Sequence, residues 1–282
     1  MKYSMIARCR DAFPVLMMCR CLKVSPSGFY DWVQRQPSAR EQANRWLLNK
    51  IRFIHDESDG VFGSPRIYDE LRYSGETCGR HRVARLMKAA DIKGIPVRKK
   101  WKMRPSGERP EGVQNILSRD FTAEKADTKW VTDITYIRTG EVWLYLAVVL
   151  DLYTRQVIGW SMSHVMDKYL VIQSVLMALW QPKDKQAVVL HSDRGSQYTS
   201  HEYQQFLKGH DVVSSMSAVG SCYDNAVAES FFGLLKRERV NRRRYATRAE
   251  ARSDVFDYIE RFYNRRKERN LENDKLQLTT LN

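Results

Sequence analysis

The sequence has no run of apolar residues long enough to cross a bilayer; the longest, such as Trp143 to Leu150, fall far below the roughly 20 residues a spanning helix requires. Its N-terminus lacks the charged-then-apolar pattern of a secretory signal. Both absences argue against a membrane or exported protein and lead us to expect a cytoplasmic one. Cysteine is scarce and odd in number, with five residues at 9, 19, 21, 78 and 222 and no Cys-x-x-Cys pair matched by a His pair. That pattern speaks against a disulfide framework and against a zinc site. Internal repeats and low-complexity segments are also missing. What remains is an ordinary globular chain of 282 residues, 43% hydrophobic, long enough for one substantial domain and one or two small ones.

Acidic residues are in deficit, with 33 Asp and Glu against 47 Lys and Arg, a net charge of +14. A surplus of cations gains affinity for polyphosphate by releasing condensed counterions, so nucleic acid is the leading partner. The deficit is uneven. Residues 1–120 carry 24 Lys and Arg against 13 Asp and Glu, residues 121–220 carry 9 against 10, and residues 221–282 carry 14 against 10. A nearly neutral middle between basic flanks suits a carboxylate-bearing catalytic core with phosphate-binding surfaces around it.

Periodicity divides the chain in the same way. Phe13 to Trp32 reads as a short apolar helix, a turn at Lys23 to Pro26, and a second helix capped by Ser25 with Pro26 at its first position. An amphipathic helix follows from about Ala39 to His55. Gly63-Ser64-Pro65-Arg66 starts another that runs to Tyr73, and Gly79-Arg80-His81-Arg82 leads into one with Val83, Leu86 and Met87 inward. These two short helices around a Gly turn have the form of a helix-turn-helix, with Arg80, Arg82, Arg85 and Lys88 on its exposed side. For any one of those cations a solvated packing face is the bland alternative.

Gly94 to Gly112 is basic, Pro-containing and without periodicity, so it reads as a linker. Beyond it the period becomes that of strands, at Trp130–Arg138, Trp143–Leu150 and Gln156–Met162. A helix over Lys168–Trp180, a buried strand over Ala187–Leu190, a helix over Ser200–Lys208 and a short strand over Val212–Ser215 follow. Helices from Asp224 to about Val240 and from Arg248 to Arg266 complete the series. This element order predicts an α/β, ribonuclease-H-like core, a mixed five-stranded sheet with flanking helices, preceded by a small all-α helix-turn-helix-like region.

Three carboxylates stand out. Asp133 lies inside a β-branched and aromatic strand, where an anion is costly to desolvate. Asp193 follows an apolar strand, at the carboxyl end where α/β sheets place ligands. Glu229 sits one turn into a helix, on a stripe with Asn225, Phe232 and Lys236. Taken singly, each has an ordinary explanation: an edge strand, a capped turn, a surface Glu–Lys face. Taken together, two strand-borne aspartates and one helix-borne glutamate suit a two-metal phosphoryl-transfer site, because Mg²⁺ or Mn²⁺ takes hard carboxylate oxygens.

The motifs Val131-Thr132-Asp133-Ile134-Thr135-Tyr136, Leu146-Ala147-Val148-Val149-Leu150-Asp151, His191-Ser192-Asp193-Arg194-Gly195-Ser196-Gln197-Tyr198 and Asp224-Asn225-Ala226 with Glu229-Ser230-Phe231-Phe232 closely resemble those of the second-frame DDE transposases of bacterial insertion sequences. The 35 residues between Asp193 and Glu229 match the interval that names the family. The likeness runs from about Phe13 to Asn264, and Arg265 to Asn282 departs from the usual continuation.

The resemblance implies a metal-dependent enzyme that cuts and rejoins DNA at insertion-sequence ends, with Asp133, Asp193 and Glu229 as catalytic residues holding two ions. It also implies a homo-oligomer on DNA, acting with an upstream-frame protein or fused to it. Lys236 matches a family residue thought to contact the DNA end, and Arg194, Arg237 and Arg239 join it as expected phosphate contacts. The implied division is an N-terminal helical unit (1–38), a helix-turn-helix-like DNA-binding region (39–93), a basic linker (94–124), an integrase-type catalytic core (125–241) and a C-terminal helix and tail (242–282). Two rivals share the carboxylates or the charge: a nuclease that only hydrolyses, and a DNA-binding regulator without activity. Asp151 is expected to cap the turn Tyr153-Thr154-Arg155 and not to bind metal. His55 and His81, without cysteines at zinc spacing, are expected to be structural.

Overall fold

The computed structural model describes residues 2–96, 117, 122–181, 187–217 and 225–279. The chain divides into two units, Met1–Val97 and Arg98–Asn282. Most of the expected linker, the stretch before Asn225, and Cys222 and Asp224 with it, lie outside the described residues.

The first unit is all helical. Helices α1 (Lys2–Cys9), α2 (Val15–Cys21) and α3 (Pro26–Gln34) close around Ile6, Cys19 and Phe29. Ser25 caps α3 as expected, accepting from the Gly28 N–H at 3.4 Å. Sequence periodicity had not marked α1, because only Ile6 of its residues is buried. The remaining helices are α4 (Ala39–Glu57), α5 (Ser64–Tyr73) and α6 (Arg80–Ala89). They bury Leu47 and Ile51, Ile67 and Leu71, and Val83 and Met87 respectively, the 3–4 spacing that a helical apolar stripe demands.

The second unit is built on strands β1 (Lys129–Thr139), β2 (Val142–Asp151), β3 (Val157–Ser163), β4 (Val188–Ser192) and β5 (Val212–Met216). Their order is β3-β2-β1-β4-β5. β2 is antiparallel to both β1 and β3, while β4 runs parallel to β1 and to β5. This mixed five-stranded sheet is the ribonuclease-H-like arrangement expected from the element order. Asp151 behaves as expected too: it accepts from the Tyr153 and Thr154 N–H groups at 2.9 and 2.7 Å, and from the Asp127 N–H at 2.8 Å.

Both faces of the sheet are covered, so β2 is apolar nearly throughout. Ala147 and Val149 pack with α7 (Lys168–Leu179) and α9 (His201–Gly209), which follows the short helix α8 (Ser196–Thr199). Leu144, Leu146, Val148 and Leu150 pack on the other side with α10 (Ala226–Glu238) and α11 (Arg248–Asp257). Gly159 of β3 makes the first contact possible: a Cβ there would stand 2.2 Å from the Ser174 carbonyl oxygen in α7.

The helix expected to end near Arg266 continues. After α11 it widens into a π-helical segment, Tyr258–Asn264, and then runs on as α12 (Arg265–Thr279). The wider turn buries Tyr258, Ile259 and Tyr263 within six positions. Its last residue meets the outer strand: Asn264 accepts from the Val157 N–H at 2.9 Å and donates to the Val157 carbonyl at 2.8 Å.

Candidate active site

The parallel ladder of β1 and β4 pairs Lys129 with Val189, Trp130 with Leu190 and Val131 with His191. Beyond these pairs β1 continues to Asp133, and Asp193, one residue past the end of β4, lies near enough for its charge to act on Asp133. Asp133 is half-buried and Asp193 exposed. Each carboxylate turns back onto its own backbone, Asp133 accepting from the Ile134 N–H at 2.8 Å and Asp193 from the Gly195 N–H at 2.9 Å. Gly195 is glycine for want of room: a Cβ there would lie 3.1 Å from the Asp193 carboxylate and 3.0 Å from the Gln197 amide oxygen.

Glu229 is presented by the first turn of α10 and is exposed. The helix anchors by its other residues, burying Ala228, Phe231, Phe232 and Leu235 against the sheet. The stripe foreseen in the sequence therefore runs along β1. Asn225, just before the helix, donates to the Thr132 carbonyl at 3.2 Å, and Lys236 lies over the Tyr136 ring, 4.6 Å from its centroid.

The electrostatics tie the three carboxylates together. Asp133 has its pKa pushed up to about 7, first by burial and then by the negative charges of Asp193 and Glu229. The Ile134 N–H and the Lys236 ammonium oppose that rise without cancelling it. Lys236 is held below the ordinary lysine value by its own burial, against the pull of Asp133. Among the described residues, no three His, Cys, Asp or Glu side chains converge closely enough to hold a metal ion as they stand. The charges of Asp193 and Glu229 reach Asp133, although the three side chains form no ready-made ligand cluster among the described residues. The donor set itself, three carboxylates around a half-buried site, is of the kind that a hard divalent ion takes.

Comparison with known proteins gives the family. The Integrase core domain family matches residues 123–222, and a second Integrase core domain family matches residues 229–280. The HTH-like domain family matches residues 41–100. The chain is 42% identical over 270 residues to "Transposase InsF for insertion sequence IS3A" of Escherichia coli (strain K12), covering 94% of this chain and 93% of the relative. The chain belongs to the insertion-sequence transposases of the IS3 type. It is also 38% identical over 250 residues to "Insertion element IS600 uncharacterized 31 kDa protein" of Shigella sonnei, covering 89% of this chain and 92% of the relative. Among solved structures, the catalytic domain of Mos1 mariner transposase matches with a TM-score of 0.40 at 13% identity, covering 50% of this chain and 75% of that one. The departure read in the sequence after Asn264 does not take the C-terminal segment of this transposase outside its family, since the second core match extends to residue 280.

The basic residues of the transposase separate into two groups. In α6, Arg85 and Lys88 are exposed, Arg80 is exposed over the Tyr68 ring, and Arg82 donates to the Asn44 side chain in α4 at 2.9 Å. In the catalytic unit, Arg194 donates to the Ser217 carbonyl at 2.8 Å. Arg239 is engaged within the fold: it pairs with Asp254 and Asp257, each at 3.1 Å, and its side chain is 13% exposed. Arg237 pairs with the buried Glu238 at 3.1 Å. Intramolecular ion pairs thus account for Arg237 and Arg239 without DNA.

Two residues carry more than sequence reasoning assigned them. His191, fully buried, bridges Ser215 and Ser217 through its two ring nitrogens at 2.9 and 3.0 Å. It joins the end of β4 to the end of β5 just before Asp193. The clue was a polar pair, His191-Ser192, closing an apolar strand, with serines recurring in β5. The second is Asn225, buried at 5% exposure.

Proposed function

We propose that this chain is a metal-dependent polynucleotidyl transferase of the DDE type, in which Asp133, Asp193 and Glu229 hold two divalent ions, Mg²⁺ or Mn²⁺. The observation that carries this reading is the raised pKa of Asp133, caused by burial and then by the two other carboxylates. An anion so disfavoured, flanked by two more, is the local chemistry that a multiply charged cation relieves. When bound, the ions supply an activated water and neutralise charge on the departing oxygen.

The chain's own work is positioning. This is supported by the charges of Asp193, Glu229 and Lys236 reaching Asp133 and by Asn225 holding the start of α10 to β1. In the first step the water oxygen bonds to phosphorus at an element end and the 3′-oxygen leaves as a 3′-hydroxyl. In the second, that 3′-hydroxyl attacks another phosphodiester, whose own 3′-oxygen departs. Phosphate contacts are proposed for Arg194 and Lys236 in the core. Arg80, Arg85 and Lys88 of α6 are proposed to hold DNA in the helix-turn-helix-like region of residues 39–93. An upstream-frame partner or fusion and assembly of several copies on DNA complete the proposal.

Labelled element-end DNA, incubated with Mg²⁺ or Mn²⁺ with and without the upstream-frame protein, tests it. Wild type is expected to cut and to form joined strands, and Asp193→Asn to do neither. Equal cutting by both proteins overturns the assignment. Cutting without joining identifies a hydrolytic nuclease instead, and no metal-dependent cutting identifies a DNA-binding regulator.

A further inference from the structure

Asn225 occupies the N-cap position of α10, yet its side chain makes no capping bond to the helix. It reaches across to the sheet and donates to the carbonyl of Thr132, 93 residues away in sequence. Its other polar atom, Oδ1, is buried without a hydrogen-bond partner among the described residues. A residue kept only to start a helix would turn an oxygen inward to the free N–H groups of the first turn. This one forgoes the cap and spends its amide on the sheet, a choice that calls for an explanation beyond helix initiation.

The two ends of this hydrogen bond each adjoin a carboxylate. Thr132 immediately precedes Asp133, and Asn225 stands one helical turn before Glu229 on the same stripe. Thr132 is itself held, since its buried hydroxyl lies 3.3 Å from that of Tyr198, the first aromatic side chain after Asp193. Asn225 is therefore a direct hydrogen-bonded tie between the strand that carries Asp133 and the helix that carries Glu229. We propose that Asn225 is a positioning residue: its amide fixes the first turn of α10 against β1 and so sets the separation of Glu229 from Asp133 before an ion is bound. This rests on the metal-site reading above. It adds that the approach of α10 to β1, and with it the distance Glu229 must cover to reach a shared ion, is fixed by a neutral amide.

Full-length protein is titrated with Mn²⁺ and followed by electron paramagnetic resonance, alongside its thermal unfolding. The variants are Asn225→Ala, Asn225→Ser, whose shorter side chain stays polar but stops short of the Thr132 carbonyl, and Asp193→Asn as control. Asn225→Ala is expected to raise half-saturating Mn²⁺ by about tenfold or more, the scale on which groups that orient metal ligands act. Cleavage of element-end DNA by this variant is expected to recover as Mn²⁺ is raised. Should the alanine variant not fold, Asn225→Ser carries the same expectation. A wild-type Mn²⁺ midpoint in a folded Asn225 variant, with or without a lowered melting temperature, overturns the proposal and leaves Asn225 a packing residue. Wild-type protein that takes up no Mn²⁺, or Asp193→Asn that binds it equally, overturns the metal site itself and this proposal with it.

Discussion

The ammonium of Lys236 lies 4.6 Å from the centroid of the Tyr136 ring, on the helical stripe that also carries Glu229. The ring is 58% exposed, so the cation is propped at the edge of the carboxylate site and not enclosed by it. Lys236→Met should weaken binding to element-end DNA at every salt concentration. It should also flatten the plot of log Kd against log salt by about one unit of slope, the signature of one lost phosphate contact. A slope equal to that of wild type would show that Lys236 serves Asp133 alone.

The raised pKa of Asp133 has a consequence for stability, with a definite sign. Between the ordinary carboxylate value near 4 and the folded value of about 7, the native state holds a proton that the unfolded state has lost. Stability of the metal-free protein therefore falls as pH rises through that window, by on the order of a few kcal/mol from this group. Thermal unfolding in chelator at pH 5 and pH 8 should show the loss. Asp133→Asn, neutral at both values, should melt higher than wild type at pH 8 and depend less on pH.

Arg239 offers a contrast, because its charge is committed to the fold. Asp254 is nearly buried and also receives the Tyr245 hydroxyl at 2.6 Å and the Arg243 guanidinium. Removing Arg239 takes one of two guanidinium partners from Asp254 and leaves Asp257 without its closer partner. Arg239→Ala is expected to cost about 3 kcal/mol in urea unfolding while leaving the salt slope of DNA binding as in wild type. A lowered slope at unchanged stability would return Arg239 to the DNA-contact set.

Gly195 tests the site from the opposite side. Its backbone is in an ordinary region, with φ −56°, so alanine there is limited by space alone. The added methyl presses on the Asp193 carboxylate. Cleavage by Gly195→Ala should drop by between about ten- and a hundredfold, the range seen when a ligand's support is disturbed, with melting nearly unchanged. Activity at the wild-type level would mean that the orientation of Asp193 toward the Gly195 N–H is immaterial.

The strands were legible because each announces itself locally, whereas the three carboxylates, each ordinary when taken singly, stood out only as a set. β1 and β2 are dense in β-branched and aromatic residues, and Asp133 breaks that pattern from inside. The N-cap at Ser25 likewise acts on a residue three positions away. What escaped depends on partners distant in the chain. Arg239 looked like a phosphate contact because Asp254 and Asp257 reach it only after the chain has folded back through α11. The grip of Asn225 is on a main-chain carbonyl, which no sequence displays. The π-helical turn at Tyr258–Asn264 was invisible for a related reason: the buried positions Val255, Tyr258, Ile259 and Tyr263 also satisfy the spacing of an ordinary α-helix, so nothing in the pattern marks the wider turn.

That turn also protects the sheet. The outer strand β3 would otherwise offer backbone groups at Val157 to any extended peptide, and Asn264 answers both its donor and its acceptor with one side-chain amide. The Tyr263 hydroxyl binds the carbonyl of Arg155 two residues earlier, at 2.9 Å. Shortening the protein ahead of Tyr258 would therefore bare a sticky margin as well as remove a helix, and the shortened chains would be expected to join one another along it.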